Sequence, residues 1–361
     1  MKIGILTGGG DCPGLNAVIR GAVRAATHKY KWEVIGFLNG YKGLVENRSR
    51  PLTSAAVSGL LDRGGTIIGT SNVDNPFSFA EIVNGKRTLR DASDDVVRTY
   101  KEHKLDALIV VGGDGTLSIA LRLCKEKGLN IVGVPKTIDN DLSATDYTFG
   151  FDTAVGIVTD AVDRIKTTAE SHERVMVVEV MGRDTGWIAL FSGIASGAHI
   201  ILIPEIPYDL GKMVEKIYER ETLGKHFCVV LAAEGAKPIG GDVTVKRHVN
   251  DPSMGIRLGG VANVVAKQVE DLTGIDTRVV TLGHVQRGGT PSAFDRILCS
   301  RLGVCAMDMV AKKQFGMMAC LKTPEIKAVP LEQAAINRKV SPDDPMIAEA
   351  RATGISFGDG L

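Results

Sequence analysis

Three short stretches of the 361-residue sequence combine glycines, which free the backbone, with carboxylates, which can hold a metal or accept a proton. The first is Gly8-Gly9-Gly10-Asp11-Cys12-Pro13-Gly14, followed at once by a segment of helical pattern from Leu15. Free backbone N–H groups and the positive end of a helix dipole at such a place attract a phosphate. The second, Gly112-Gly113-Asp114-Gly115-Thr116, lets the backbone close on phosphates while Asp114 offers a hard oxygen ligand to Mg2+. The same residues also fit a tight turn in which Asp114 caps the next helix. The third, Pro135-Lys136-Thr137-Ile138-Asp139-Asn140-Asp141, sets two carboxylates one residue apart, as a general base with an electrostatic partner requires. A solvated acidic turn has the same composition. Farther on, Arg174, Met181-Gly182-Arg183 and Gly283-His284-Val285-Gln286-Arg287-Gly288-Gly289 place cations beside glycines, a combination suited to a phosphate or a developing phosphoryl charge.

Other chemistries lack their residues. No G-x-x-x-x-G-K-[ST] occurs, which disfavours a P-loop nucleotidase. The dinucleotide fingerprint G-x-G-x-x-G fails at Pro13, and the next strand ends near Asn39 without an acid for a ribose, which leaves an NAD-binding oxidoreductase unsupported. The six cysteines (Cys12, Cys124, Cys228, Cys299, Cys305, Cys320) form no Cys-x-x-Cys pair, so they read as reduced thiols of a cytoplasmic protein rather than as disulfides or a zinc site. A net charge of +1 supplies no field toward nucleic acid or an anionic membrane, so any phosphate binding is local. No apolar run approaches the roughly 20 residues of a membrane span.

The elements that must position these loops are legible as apolar runs: Lys2 to Thr7, Val34 to Leu38, Ala107 to Val111, Ile131 to Val134, Val175 to Val180, Ile200 to Ile203, Phe227 to Ala232 and Arg278 to Leu282. Strands apolar throughout are buried on both faces, as in parallel sheets. Helical patterns lie between them, at Leu15 to His28, Asp94 to His103, Leu117 to Lys127, Thr153 to Thr168, Gly211 to Glu221, Ile256 to Leu272 and Ala293 to Lys312. The fold class is therefore α/β, and eight strands over this length favour two domains. In such sheets ligands sit beyond the carboxyl ends of the strands, where the three loops are expected to converge.

Taken together, LTGGGDCPGLNAVIR, GGDGT, PKTIDND, VVEVMGR and LGHVQRGG, in this order over roughly Lys2 to Met309, resemble the 6-phosphofructokinase family. The resemblance implies two domains, each a largely parallel sheet covered by helices. Residues 1–150 with about 286–336 would bind nucleotide and Mg2+, and 151–285 with about 337–361 the sugar phosphate. It implies phosphoryl transfer from ATP to the C1 hydroxyl of fructose 6-phosphate. Asp139 would be the general base, Thr137 and Arg183 would hold the transferring group, and Asp141 would orient the site. Gly9, Tyr41, Asn72, Gly113, Asp114, Gly115, Thr116 and Lys136 would frame the donor, with Asp114 on the metal. The sugar phosphate would be held by Thr137, Asp139, Met181, Gly182, Arg183, Glu234, His284 and Arg287, and by Arg174 and Arg278 reaching from a neighbouring subunit of a homodimer or homotetramer.

Two positions bear on the donor. By the same resemblance, Gly115 is the residue of ATP users, since an aspartate there would crowd and repel a nucleotide phosphate. Lys136 is the residue of pyrophosphate users, but an added cation does not obstruct a triphosphate, so ATP is expected and pyrophosphate is the alternative. Asn72 departs from the arginine of well-studied bacterial ATP enzymes, and Lys136 is expected to compensate in part. A catalytically silent sugar-phosphate-binding subunit is a further alternative, opposed by the presence of Asp114, Asp139, Asp141 and Arg183. Arg20, Arg24, Lys166 and Lys225 match basic positions of an effector site, whereas Ser54 and Leu223 stand where other cations belong, so weak effector control is expected. The tail beyond about Gln333 carries no motif.

Overall fold

The computed structural model describes residues 1–83, 85–248 and 256–361. The chain divides into two compact units, Met1–Thr153 with Arg287–Asn337, and Ala154–Gln286 with Arg338–Leu361. In chain order the strands are β1 (Lys2–Thr7), β2 (Glu33–Phe37), β3 (Ser49–Pro51), β4 (Phe79–Val83), β5 (Lys86–Arg90), β6 (Ala107–Gly112), β7 (Ile131–Pro135), β8 (Val175–Val180), β9 (Ile200–Leu202), β10 (Cys228–Ala233), β11 (Val245–His248), β12 (Ile256–Leu258), β13 (Thr277–Thr281), β14 (Met317–Lys322) and β15 (Glu325–Pro330). The α-helices are α1 (Leu15–Ala25), α2 (Tyr41–Val45), α3 (Ser93–Glu102), α4 (Asp114–Lys127), α5 (Phe151–Ser171), α6 (Trp187–Ser196), α7 (Leu210–Thr222), α8 (Val261–Thr273), α9 (Ala293–Ala311) and α10 (Pro345–Ala352). Each of the eight apolar runs read from the sequence forms a strand.

The first unit is built on a seven-stranded sheet ordered β15-β14-β7-β6-β1-β2-β3. Its central strands run parallel, with Leu6 opposite Val110, Thr7 opposite Val111, and Gly112 opposite Pro135. All six residues of β6 are buried, because helices cover both faces of a parallel sheet. Leu6, Phe37, Leu108, Val110, Leu117, Ile131 and Met318 belong to one apolar core. The register brings the loops after β1, β6 and β7 to one edge. In the flanking hairpin β14–β15, the apolar β14 is buried over its middle, whereas β15 alternates exposed and half-buried residues as an outer strand does.

The second unit holds a four-stranded parallel sheet ordered β13-β8-β10-β9 over a core that includes Val177, Leu202, Val230, Ala232, Val261 and Val265. One helix expectation fails here. The pattern from Ile256 to Leu272 is not a single helix: Ile256–Leu258 is a strand, and α8 starts only at Val261. Gly259 and Gly260 between them have φ of 128° and 91°, which no right-handed helix accommodates. The buried Glu179 carboxylate then accepts hydrogen bonds from the N–H groups of Gly260 (2.8 Å) and Ala262 (3.0 Å), fixing the new start. Helix α6, WIALFSGIAS, is buried and apolar nearly all round, so its sequence has no amphipathic stripe to announce it.

Candidate active site

In the first unit the three loops do converge. The Gly8 N–H donates to the Val111 carbonyl (2.9 Å) and the Lys136 N–H to the Gly112 carbonyl (2.8 Å), which ties each loop to the strand beside it. A Cβ at Gly8 would lie 2.6 Å from the Thr116 Cγ2, so only glycine allows this approach. Gly9, at φ +80°, is held from both sides. Its N–H donates to the Ser71 carbonyl (2.9 Å) and its carbonyl accepts from the Thr70 hydroxyl (2.6 Å). Asn72 follows directly and is exposed.

The second loop is shorter than the sequence pattern indicates, because α4 begins at Asp114 with Gly113 as its N-cap residue. Asp114 and Gly115 are exposed in the first turn, where a carboxylate and an incoming anion share the helix dipole, and Thr116 is buried. No atom lies within 4 Å of the position a Gly115 Cβ would take. Tyr41 stands behind this turn. It is only 3% exposed, and its hydroxyl donates to the Thr116 carbonyl (2.9 Å), so the phenol supports the first turn of α4.

In the third loop the Lys136 ammonium is buried and donates to the Gly10 carbonyl (2.6 Å), bracing the first loop against the third. Burial lowers its pKa, against the pull of the Asp139 and Asp141 carboxylates. The Thr137 hydroxyl accepts from the Asp139 N–H (3.1 Å) and donates weakly to the Asp139 carboxylate (3.4 Å). Asn140, fully buried at φ +51°, accepts from the Thr148 N–H (3.0 Å) and turns the chain between the two acids. Burial, aided by the charges of Asp139 and Asp114, pushes the Asp141 carboxyl up to about 6. Arg287 reaches the same place, donating to the Asp11 carbonyl (3.3 Å).

Three carboxylates thus share one electrostatic field. Among the described residues no set of three or more His, Cys, Asp or Glu side chains forms a ready metal cage. A cation that is carried in by phosphates and needs only one or two protein carboxylates fits this donor set, and Mg2+ is such a cation.

In the second unit, Met181, Gly182, Arg183, Glu234 and His284 all follow carboxyl ends of strands. The Glu234 N–H donates to the Val180 carbonyl (2.9 Å) and the Gly235 N–H to the Gly182 carbonyl (3.0 Å), joining the loops after β8 and β10. The Arg183 side chain is 53% exposed, with Asp184 at 3.8 Å. Arg174 and Arg278 are elsewhere: Arg174 precedes β8 and Arg278 is the second residue of β13, at the amino edge of the sheet. The six residues of β8 lie between Arg174 and Met181, which places the two about 23 Å apart along the extended chain.

Three further buried residues hold loop backbone in place. Asn16, buried in α1, donates to the Arg63 and Gly64 carbonyls (both 3.1 Å) and accepts from the Ile67 N–H (2.8 Å). Its signal in the sequence is a lone amide among the apolar residues of LNAVIR. Gln286, fully buried, accepts from the Met181 N–H (3.2 Å) and donates to the Gly283 carbonyl (3.0 Å). Asp295 ends the capping pattern Ser292-Ala293-Phe294-Asp295, and its carboxylate accepts from the N–H groups of Gly150 and Thr153 (both 2.9 Å), capping α5.

A family model described as phosphofructokinase matches residues 2–310. The chain is 52% identical over 361 residues to an ATP-dependent 6-phosphofructokinase 2 of Clostridium perfringens, covering 99% of this chain and 98% of that one. It is 49% identical over 358 residues to a pyrophosphate--fructose 6-phosphate 1-phosphotransferase of Streptomyces coelicolor, covering 99% and 100%. Among solved structures it resembles Pichia pastoris phosphofructokinase in the T-state, with a TM-score of 0.80 and 32% identity over all of this chain and 37% of that one. The family match over most of the length and relatives at half identity give the same answer: the chain belongs to the phosphofructokinase family.

Proposed function

We propose that the protein is an ATP-dependent 6-phosphofructokinase, transferring the γ-phosphoryl group of ATP to the C1 hydroxyl of fructose 6-phosphate. The observation that carries this reading is the convergence of the three loops on one edge of the first sheet, with Asp114 and Gly115 exposed at the start of α4 and Asp139 beside them in the chain's acid-rich loop.

Asp139 takes the proton of the C1 hydroxyl as that oxygen attacks, and the Thr137 hydroxyl, already on the Asp139 carboxylate and N–H, fixes its rotamer. Asp141 holds the base in place and raises the local demand for a cation. Gly9, Gly113 and Thr116 shape the phosphate-binding backbone, with Tyr41 behind it. Asp114 would hold Mg2+, which when bound neutralises phosphate charge and orients the transferred group. Arg183 is assigned to the transferring phosphoryl group, and Met181, Gly182, Glu234, His284 and Arg287 to the sugar phosphate.

The opposed edges of the second sheet support a shared site. Arg174 and Arg278 are too far along the strands from Met181–Arg183 for one sugar phosphate to touch both sets, so the two arginines serve a neighbouring copy of the chain, in a homodimer or homotetramer. Six free cysteines fit a cytoplasmic enzyme. No helix among the described residues is long and apolar enough to cross a membrane.

ATP is favoured over pyrophosphate by the open space at Gly115, where no side chain or carboxylate opposes a nucleotide phosphate. The buried Lys136 is committed to the Gly10 carbonyl and acts as a brace. Initial rates with fructose 6-phosphate and Mg2+, comparing ATP with pyrophosphate on one preparation, test this. Turnover with ATP alone is expected. Turnover with pyrophosphate alone overturns the donor assignment, and none with either overturns the kinase reading.

A further inference from the structure

At the amino edge of the second sheet, one carboxylate stands between the two arginines assigned to the neighbouring copy's sugar phosphate. Arg174 immediately precedes β8, and Asp276 immediately precedes β13, its neighbour in the sheet. The strands run parallel with Thr277 opposite Val175, so Asp276 falls opposite Arg174, and the Val175 N–H donates to the Asp276 carbonyl (3.2 Å). Arg278 lies two residues on and therefore on the same face of β13. The Arg174 backbone is pinned on both sides, its N–H to the Ala169 carbonyl (3.0 Å) and its carbonyl to the Cys228 N–H (3.1 Å).

The Asp276 carboxylate divides its two oxygens. Oδ2 accepts from the Arg174 Nε, and Oδ1 lies 2.8 Å from the Arg278 Nη2. A guanidinium presents five N–H donors in a rigid fork. Each arginine spends one nitrogen on Asp276 and keeps the others for an incoming anion. The side chains are 29% (Arg174), 56% (Arg278) and 37% (Asp276) exposed, so a ligand can reach them. Without the shared carboxylate, two like charges this close repel, and each long side chain regains the freedom that binding must then remove.

We infer that Asp276 is a positioning residue for phosphate recognition: it sets the spacing and orientation of the Arg174 and Arg278 guanidinium groups, so that the pair meets a dianionic phosphate as a preformed fork. The inference rests on the assignment of these two arginines to the sugar phosphate. It opposes a simple charge count, in which a carboxylate beside an anion site weakens binding. Exposed ion pairs add little to stability, so the effect belongs to ligand affinity and not to the fold.

The test compares full-length Asp276→Asn, Asp276→Glu, Arg174→Ala and Arg278→Ala by kcat and KM for fructose 6-phosphate at saturating donor, and by thermal melting. For Asp276→Asn, a rise in KM of about five- to twentyfold is expected, with kcat within about twofold and Tm within about 2 °C. Asp276→Glu, which keeps the charge, recovers part of that loss. Both arginine variants raise KM at least as much. If they raise it and Asp276→Asn leaves KM unchanged or lowers it, Asp276 is not a positioning residue. If neither arginine variant changes KM, the assignment of the arginines itself is wrong.

Discussion

The loops at the carboxyl edge of the first sheet and the arginines of the second unit meet phosphate chemistry with opposite materials. In the first, the third loop is packed although Asp114 and Gly115 beside it are exposed: Lys136, Thr137 and Asn140 are buried, Asp141 is buried enough to shift its titration, and Gly8 leaves no space for a methyl group. In the second, Arg183 and Arg278 are more than half exposed and Arg174 is about a third exposed. A reacting group must hold its position to within a fraction of an ångström, and tight packing supplies that. A binding group must follow a ligand that enters and leaves, and an exposed arm permits it. Substitutions at the packed residues should therefore change chemistry and stability together, and those at the exposed arginines should leave stability unchanged.

The sharpest expectation concerns Asp139. Asp139→Asn keeps the size and the Thr137 contacts but cannot accept a proton, so kcat falls by about a thousandfold while KM for fructose 6-phosphate stays within about threefold, measured by steady-state rates. A loss below tenfold would remove Asp139 from the role of base. The next concerns Arg183. Arg183→Ala lowers kcat/KM by about a hundredfold with Tm unchanged to within about 1 °C. A drop of several degrees on melting would break the contrast, because the arm would then hold the fold as well.

The smallest is a stability effect with its sign fixed by titration. Folding raises the Asp141 carboxyl to about 6, so between pH 4 and 6 the folded chain binds the proton more tightly than the unfolded chain. This contribution is harmless below pH 4 and is a cost that grows as pH rises through 6. Asp141→Asn removes it. Without Mg2+ and nucleotide, the variant is expected to melt higher than the parent at pH 8, by about 1–3 kcal/mol, and at the same temperature near pH 4, while kcat falls at least tenfold. Equal melting at both pH values would show that burial of Asp141 costs nothing.

The eight central strands and the three loops after β1, β6 and β7 were legible because apolar runs and glycine–acid clusters are local signals. What escaped has a physical reason in each case. Strand β5 is fully exposed and β15 alternates exposed and half-buried residues, so neither has an apolar run to mark it. The break at Gly259-Gly260 interrupts a pattern that continues in sequence, because the cap of α8 comes from Glu179 on another strand. The site residues were named by type and spacing. Their partners Gln286 and Asp276 were not, since the contacts of Gln286 with Met181 and of Asp276 with Arg174 join residues about a hundred positions apart in the chain. Tyr41 was named from the resemblance as framing the donor, and only the structure shows its hydroxyl donating to the Thr116 carbonyl.

The open side-chain direction at Gly115 has a consequence for how such proteins diverge. Nothing in the fold requires glycine there: its φ is not positive, no atom would clash with a Cβ, and it sits in the first turn of a helix. An aspartate would complement the helix dipole, but it would also add a fourth carboxylate to the field of Asp114, Asp139 and Asp141. On the reading proposed, exchange of ATP for pyrophosphate then needs no rearrangement of the backbone at this position. Donor preference and structural integrity are inherited as separate traits, which suits a family whose half-identical relatives carry names for both donors.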